Sequence, residues 1–130
     1  MKFDWSQVDI LIVDDDFDLR ETLYDIFQRL GAKTYTATNG EDALLKLQSN
    51  KINLILCDLQ MPRMDGAALL KVLNEKLSII PFIFITGQIQ FTEAKALALG
   101  ATSLVYKPYT LKELVEKIQS VFEKTTTPKI

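Results

Sequence analysis

Four short apolar runs in this chain each end in a residue that can do chemistry. Ile10-Leu11-Ile12-Val13 runs into Asp14-Asp15-Asp16, and Leu54-Ile55-Leu56-Cys57 runs into Asp58. Phe82-Ile83-Phe84-Ile85 ends at Thr86-Gly87, and the run from Ser103 to Tyr106 ends at Lys107-Pro108. If the runs are neighbouring strands, one rim collects three or four carboxylates, a hydroxyl and an ammonium. Carboxylates a few ångströms apart raise one another's pKa unless a cation intervenes. A hard cation with oxygen ligands answers that need, and Mg²⁺ favours a few carboxylates, a carbonyl and several waters. An opposing lysine would hold an anion such as a phosphoryl group. A carboxylate beside such a cation can also be a nucleophile that forms an acyl phosphate. The chemistry implied is phosphoryl transfer, driven by positioning and charge neutralisation.

Composition narrows the alternatives. The 130 residues contain no histidine, which removes Ser-His-Asp and Cys-His pairs, His-ligated zinc and an imidazole base. Net charge is 15 − 17 = −2, so a basic nucleic-acid footprint is absent and no direct nucleic-acid partner is expected. One cysteine, Cys57, cannot form an internal disulfide and reads as a small buried hydrophobe. No apolar run approaches the roughly 18 residues that cross a membrane. The opening Met1-Lys2-Phe3-Asp4-Trp5 does not read as a signal peptide, so no membrane association and a cytoplasmic location are expected. Each site residue also has a plain explanation. Asp16 and Asp18 suit a helix N-terminus. A single Asp58, Thr86 or Lys107 could simply end a strand. Their coincidence on four strand ends is what carries the functional reading.

The elements that must position these residues follow from periodicity. Strands apolar on both faces belong in a parallel sheet covered on both sides. Thr34 to Thr38 and Ser103 to Tyr106 are weaker strands, expected nearer the edges. Between them, Leu19, Leu23, Ile26 and Leu30 sit at helical spacing, stopped by Gly31. Ala43, Leu44 and Leu47 follow a turn at Asn39-Gly40, and Leu69, Leu70 and Leu73 mark a third helix. Ala94, Leu97 and Ala98 mark a fourth with a thin apolar stripe, ended by Gly100. Leu111, Leu114, Val115, Ile118, Val121 and Phe122 form the clearest helix, opened by the capping box Thr110-Leu111-Lys112-Glu113. Five strand–helix units with right-handed crossovers give an α/β doubly wound parallel sheet, (βα)₅, with 2-1-3-4-5 the common strand order. Trp5 is expected to pack the N-terminus. The pattern fades at the end, so residues 125–130 are expected to form a tail or linker stub after a domain of residues 1–124.

Over about residues 8 to 124 the chain resembles the receiver domain of bacterial two-component response regulators, which has a flavodoxin-like fold. The resemblance rests on Ile10-Leu11-Ile12-Val13-Asp14-Asp15-Asp16, Cys57-Asp58-Leu59-Gln60-Met61-Pro62-Arg63-Met64-Asp65-Gly66, Phe84-Ile85-Thr86-Gly87 and Tyr106-Lys107-Pro108-Tyr109. It implies that Asp58 accepts a phosphoryl group from a phosphohistidine on a sensor histidine kinase or phosphotransfer protein. It implies Mg²⁺, or Mn²⁺, held by Asp14, Asp15, Asp58 and the Gln60 backbone carbonyl, with Asp15 the direct ligand and Asp14 acting through water. Lys107 would pair with the phosphoryl oxygens, Thr86 would move in to hydrogen-bond them, and the Lys107-Pro108 bond would be cis.

The domain would then be a signalling module and not an enzyme, with at most slow autodephosphorylation. It would speak to a downstream effector protein or output domain through its fourth helix, fifth strand and fifth helix. The family often carries an aromatic three residues before the lysine. Leu104 stands there, with Tyr106 two residues on along the same side of the strand. Two other readings compete. A degenerate receiver would serve only as a docking module. A haloacid dehalogenase-like phosphatase would use Asp14 and Asp16, but Phe17 and Asp18 follow where that group needs a hydroxyl, and no acidic pair occurs after Glu93.

Overall fold

The computed structural model describes residues 2–126. Five strands alternate with five helices: β1 (Asp9–Val13), α1 (Phe17–Leu30), β2 (Lys33–Ala37), α2 (Gly40–Ser49), β3 (Leu54–Asp58), α3 (Gly66–Glu75), β4 (Phe82–Thr86), α4 (Glu93–Ala98), β5 (Ser103–Tyr106) and α5 (Leu111–Thr126). All neighbouring strands pair in parallel, in the order β2-β1-β3-β4-β5. The weaker strands of the sequence, β2 and β5, are the edges. No helix among the described residues is long and apolar enough to cross a membrane.

Strand alternation sorts the core into two layers. Leu11, Val13, Ile55, Cys57, Phe82, Phe84 and Leu104 face α2, α3 and α4. Ile10, Ile12, Leu54, Leu56, Ile83, Ile85 and Val105 face α1 and α5. Both faces of each central strand are therefore covered, which is why the sequence offers no polar face there.

The helices begin on one rim, each at the carboxyl end of the strand before it. Asp16 caps α1 by accepting the Asp18 and Leu19 amides, Asn39 caps α2, Asp65 caps α3 and Thr92 caps α4. The Thr110–Glu113 box closes as expected, with the Glu113 amide donating to the Thr110 hydroxyl at 3.1 Å. Gly31 ends α1 with φ 108°, a left-handed conformation that glycine adopts without penalty.

Two helices differ from the sequence pattern. In α1 the buried side chains are Arg20, Leu23 and Phe27, while Leu19 and Leu30 are each 38% exposed. The stripe that matters runs 20-23-27, one position off the run of leucines. In α4 the one buried side chain is Ala96, not Ala94, Leu97 or Ala98. Six residues form too short a helix for spacing to reveal which face meets the sheet. Trp5 packs as expected, against Phe3 at 4.8 Å and Phe27 at 5.6 Å between ring centroids. Residues 125 and 126, expected in the tail, are helical, because α5 continues to Thr126. Residues 127–130 lie outside the described residues.

Candidate functional site at the carboxyl rim of the sheet

Asp14 follows the last residue of β1, Asp58 ends β3, Thr86 ends β4 and Lys107 follows β5. The register sets Val13 beside Cys57, Asp58 beside Ile85 and Thr86 beside Tyr106. Parallel strands with matched ends thus deliver all four residues to one rim. Asp14, Asp15 and Asp58 each offer a carboxylate oxygen within 4.8 Å of the others. Lys107 reaches in from the β5 end, with Nζ 3.4 Å from Asp58 Oδ2. The Lys107-Pro108 peptide is cis. The Lys107 backbone amide donates to the Thr86 carbonyl at 2.8 Å, which fixes where that side chain starts.

Burial sets the electrostatics. Asp58 is pushed above its ordinary value chiefly by loss of water, against the pull of Lys107 and a hydrogen bond from the Gln60 backbone amide. Asp14 is pushed up by the same loss of water and by the nearby Asp58 and Asp15 charges. One ammonium does not compensate three carboxylates, so the cluster favours an added cation. Its donors are all hard oxygens, the set that suits Mg²⁺ or Mn²⁺ and not a thiolate-seeking metal.

The loops keep the cluster in place. The Asp14 carboxylate accepts the Asp16 amide at 2.9 Å, closing the turn between β1 and α1. In the turn after β3, the Gly66 amide donates to the Leu59 carbonyl at 2.9 Å, and the Leu59 amide donates to the Ile85 carbonyl at 3.1 Å. The Gly40 amide donates to the Met64 carbonyl at 3.0 Å, so the start of α2 braces the same turn. Gln60 is exposed at its mouth. Thr86 is buried, and its hydroxyl accepts the Gln88 amide at 3.1 Å.

Residues 10–119 match the family of the response regulator receiver domain. The chain belongs to that family. As a receiver domain it is 36% identical over 118 residues to the transcriptional regulatory protein CrdR of Helicobacter pylori, covering 89% of this chain and 55% of that one. It is 35% identical over 113 residues to the response regulator SaeR of Staphylococcus aureus, covering 86% and 49%. The chain thus spans about half the length of these relatives. Among solved structures it is similar to a Francisella response regulator 1452 receiver domain, with a TM-score of 0.84, 25% identity, and 92% of this chain and all of that one covered. It is also similar to the chemotaxis protein CheY4 of Vibrio cholerae, with a TM-score of 0.81, 27% identity, and 88% and 98% covered.

Two residues beside the receiver site carried no role in the sequence analysis. Arg20 donates from Nη1 to the Asp14 carbonyl at 2.7 Å, and its guanidinium lies 5.5 Å over the Phe17 ring. Its place on the buried 20-23-27 stripe was the available signal. Tyr109 is half-buried close enough to Asp14 that the carboxylate adds to the rise in its phenol pKa, after burial. Nothing in spacing alone places Tyr109 there, because the turn after β5 sets its direction.

Proposed function

We propose that this receiver domain takes a phosphoryl group from a partner's phosphohistidine onto Asp58. The partner is a sensor histidine kinase or a phosphotransfer protein; these 130 residues hold no histidine and cannot themselves be the donor. The observation that carries the reading is the Lys107 ammonium at 3.4 Å from a half-buried carboxylate that faces two more carboxylates. An Asp58 oxygen forms a bond to phosphorus while the phosphorus–nitrogen bond to the donor imidazole breaks. The electron pair leaves with the imidazole, which takes up a proton. Lys107 then faces the oxygens of the transferred group, and the Thr86 hydroxyl donates a hydrogen bond to them.

Asp14, Asp15, Asp58 and the Gln60 backbone carbonyl would hold Mg²⁺ or Mn²⁺. That ion supplies charge neutralisation for the incoming group. The domain works as a cytoplasmic switch with slow autodephosphorylation as its catalysis. The α4–β5–α5 surface passes the signal to an effector protein or an output domain. Family membership leaves the dehalogenase-like reading without support. The three carboxylates, the hydroxyl and the lysine together disfavour a module that only docks.

The test is incubation with acetyl phosphate and, separately, with a phosphorylated histidine kinase. The expected product is one phosphoryl group per chain, dependent on divalent cation and released by hydroxylamine. No labelled product from either donor would end this reading.

Metal dependence gives a second measurement. At ten times its dissociation constant Mg²⁺ stabilises the fold by about 1.4 kcal/mol. In a domain of this size that raises the melting temperature by roughly 3–7 °C. Asp15→Asn removes most of the shift because it deletes the exposed ligand of the cluster. An unchanged Mg²⁺ response in that variant would take Asp15 out of the site.

A further inference from the structure

The loop between β4 and α4 leaves the site at Thr86 and meets α4 at its cap, Thr92. A side chain holds each end. At the near end the Thr86 hydroxyl accepts the Gln88 amide at 3.1 Å. At the far end the Tyr106 hydroxyl donates to the Phe91 carbonyl at 2.7 Å. Tyr106 is also the register partner of Thr86, so both anchors stand on one row of the sheet.

Phe91 turns its ring inward onto Phe84, with centroids 5.1 Å apart and planes at 80°. Phe84 in turn lies under the acceptor turn, close enough that a Cβ on Gly66 would stand 3.0 Å from its Cε1. A continuous set of packed groups therefore links the turn that follows Asp58 to the far end of this loop. Leu104, on the same side of β5, is buried at 5% exposure and carries no polar group toward the loop.

The hydroxyl of Tyr106 is thus the side-chain tie between β5 and the loop. Its residue is 37% exposed, so water competes for the bond and the bond can open. The helix it precedes is six residues long with one buried side chain, Ala96. Such a helix has few contacts of its own to fix its place, and the loop governs where it lies.

We propose that Tyr106 is a positioning residue whose hydroxyl latches Phe91 and holds the β4–α4 loop and α4 against the pull of a phosphoryl group on Asp58. Drawing Thr86 toward that group carries Gly87 and Gln88 with it and lengthens the path to Phe91. The latch and the phosphoryl group then oppose each other through one loop, and the opposition is reciprocal. The phosphoacceptor reading of Asp58 identifies the opposing ligand; the latch itself is read from the hydrogen bond.

Tyr106→Phe keeps the ring and removes the hydroxyl. Without any phosphoryl mimic, amide exchange over residues 88–96 is expected to quicken about threefold to tenfold. With Mg²⁺ and beryllofluoride as the mimic, apparent affinity is expected to rise about twofold to tenfold. A hydroxyl with only a structural role would leave that affinity unchanged or lower it. Unchanged exchange overturns the proposal, and so does faster exchange without a gain in affinity. Should wild-type protein bind no beryllofluoride, the phosphoacceptor reading fails, and the exchange comparison alone decides the latch.

Discussion

Asp58→Asn is expected to abolish phosphoryl incorporation, by a factor on the order of 10³ or more, the scale on which losing a nucleophile acts. An amide has no anionic oxygen to attack phosphorus, while its shape preserves the packing at the end of β3. The same variant reports on the fold with the opposite sign. Burial raises the folded-state pKa of Asp58 above its ordinary 3.8 even with Lys107 beside it. A raised carboxyl pKa adds stability that is fully present below the unfolded value and lost as pH rises through the folded one. At neutral pH the ionised carboxylate therefore works against folding, and the neutral amide relieves it. Without divalent cation, Asp58→Asn is expected to melt higher than wild type at neutral pH. Its advantage should shrink as pH falls toward 3.8. Thermal melts across that range, beside labelling with acetyl phosphate, separate lost chemistry from lost structure. A variant that still labels would move the acceptor elsewhere, and one that melts lower at neutral pH would show that Lys107 outweighs burial.

What could be read from the sequence was whatever depends on one strand or helix at a time. The central strands are apolar on both faces, so their burial and the parallel sheet follow directly from Ile10–Val13, Leu54–Cys57 and Phe82–Ile85. Parallel strands with matched ends put Asp14, Asp58, Thr86 and Lys107 on one rim without further information. Relations between elements were hidden. Arg20 shares helical spacing with Leu23 and Phe27, but its partner appears only when α1 is docked and its guanidinium meets the Asp14 carbonyl. The buried contact of α4 could not be separated from its neighbours, since Ala94, Ala96 and Ala98 are alike and the helix is short. Tyr106 stands two residues past the position where an aromatic was sought. Only the path of the β4–α4 loop brings the Phe91 carbonyl to its hydroxyl. Gly66 enters the sequence only as the last residue of the Asp58 motif, and its reason lies in the backbone across the turn.

Gly66→Ala is expected to destabilise the domain by about 3 kcal/mol, the upper range for forcing a methyl into packed space. A Cβ there would lie 2.5 Å from the Asp58 carbonyl oxygen, 3.0 Å from Phe84 Cε1 and 3.2 Å from Leu59 Cα. Two of those neighbours are backbone and cannot rotate aside. The glycine itself cannot retreat, because its amide is bonded to the Leu59 carbonyl at 2.9 Å and Asp65 caps the helix through the Ala68 amide at 2.8 Å. The intrinsic preference of helices for alanine over glycine, about 1 kcal/mol, works the other way and is outweighed. The melting temperature should fall by roughly 10–15 °C. The folded fraction should also label poorly with acetyl phosphate, since relief of the clash displaces the carbonyl of Asp58 itself. Gly87→Ala is the matched control on the same rim. Its Cβ would meet Lys107 Cβ at 4.0 Å, an ordinary contact, so stability should change by less than about 0.5 kcal/mol. Equal melting temperatures for the two variants would show that the turn after β3 yields to a methyl group, and that close backbone approach is not what places Asp58.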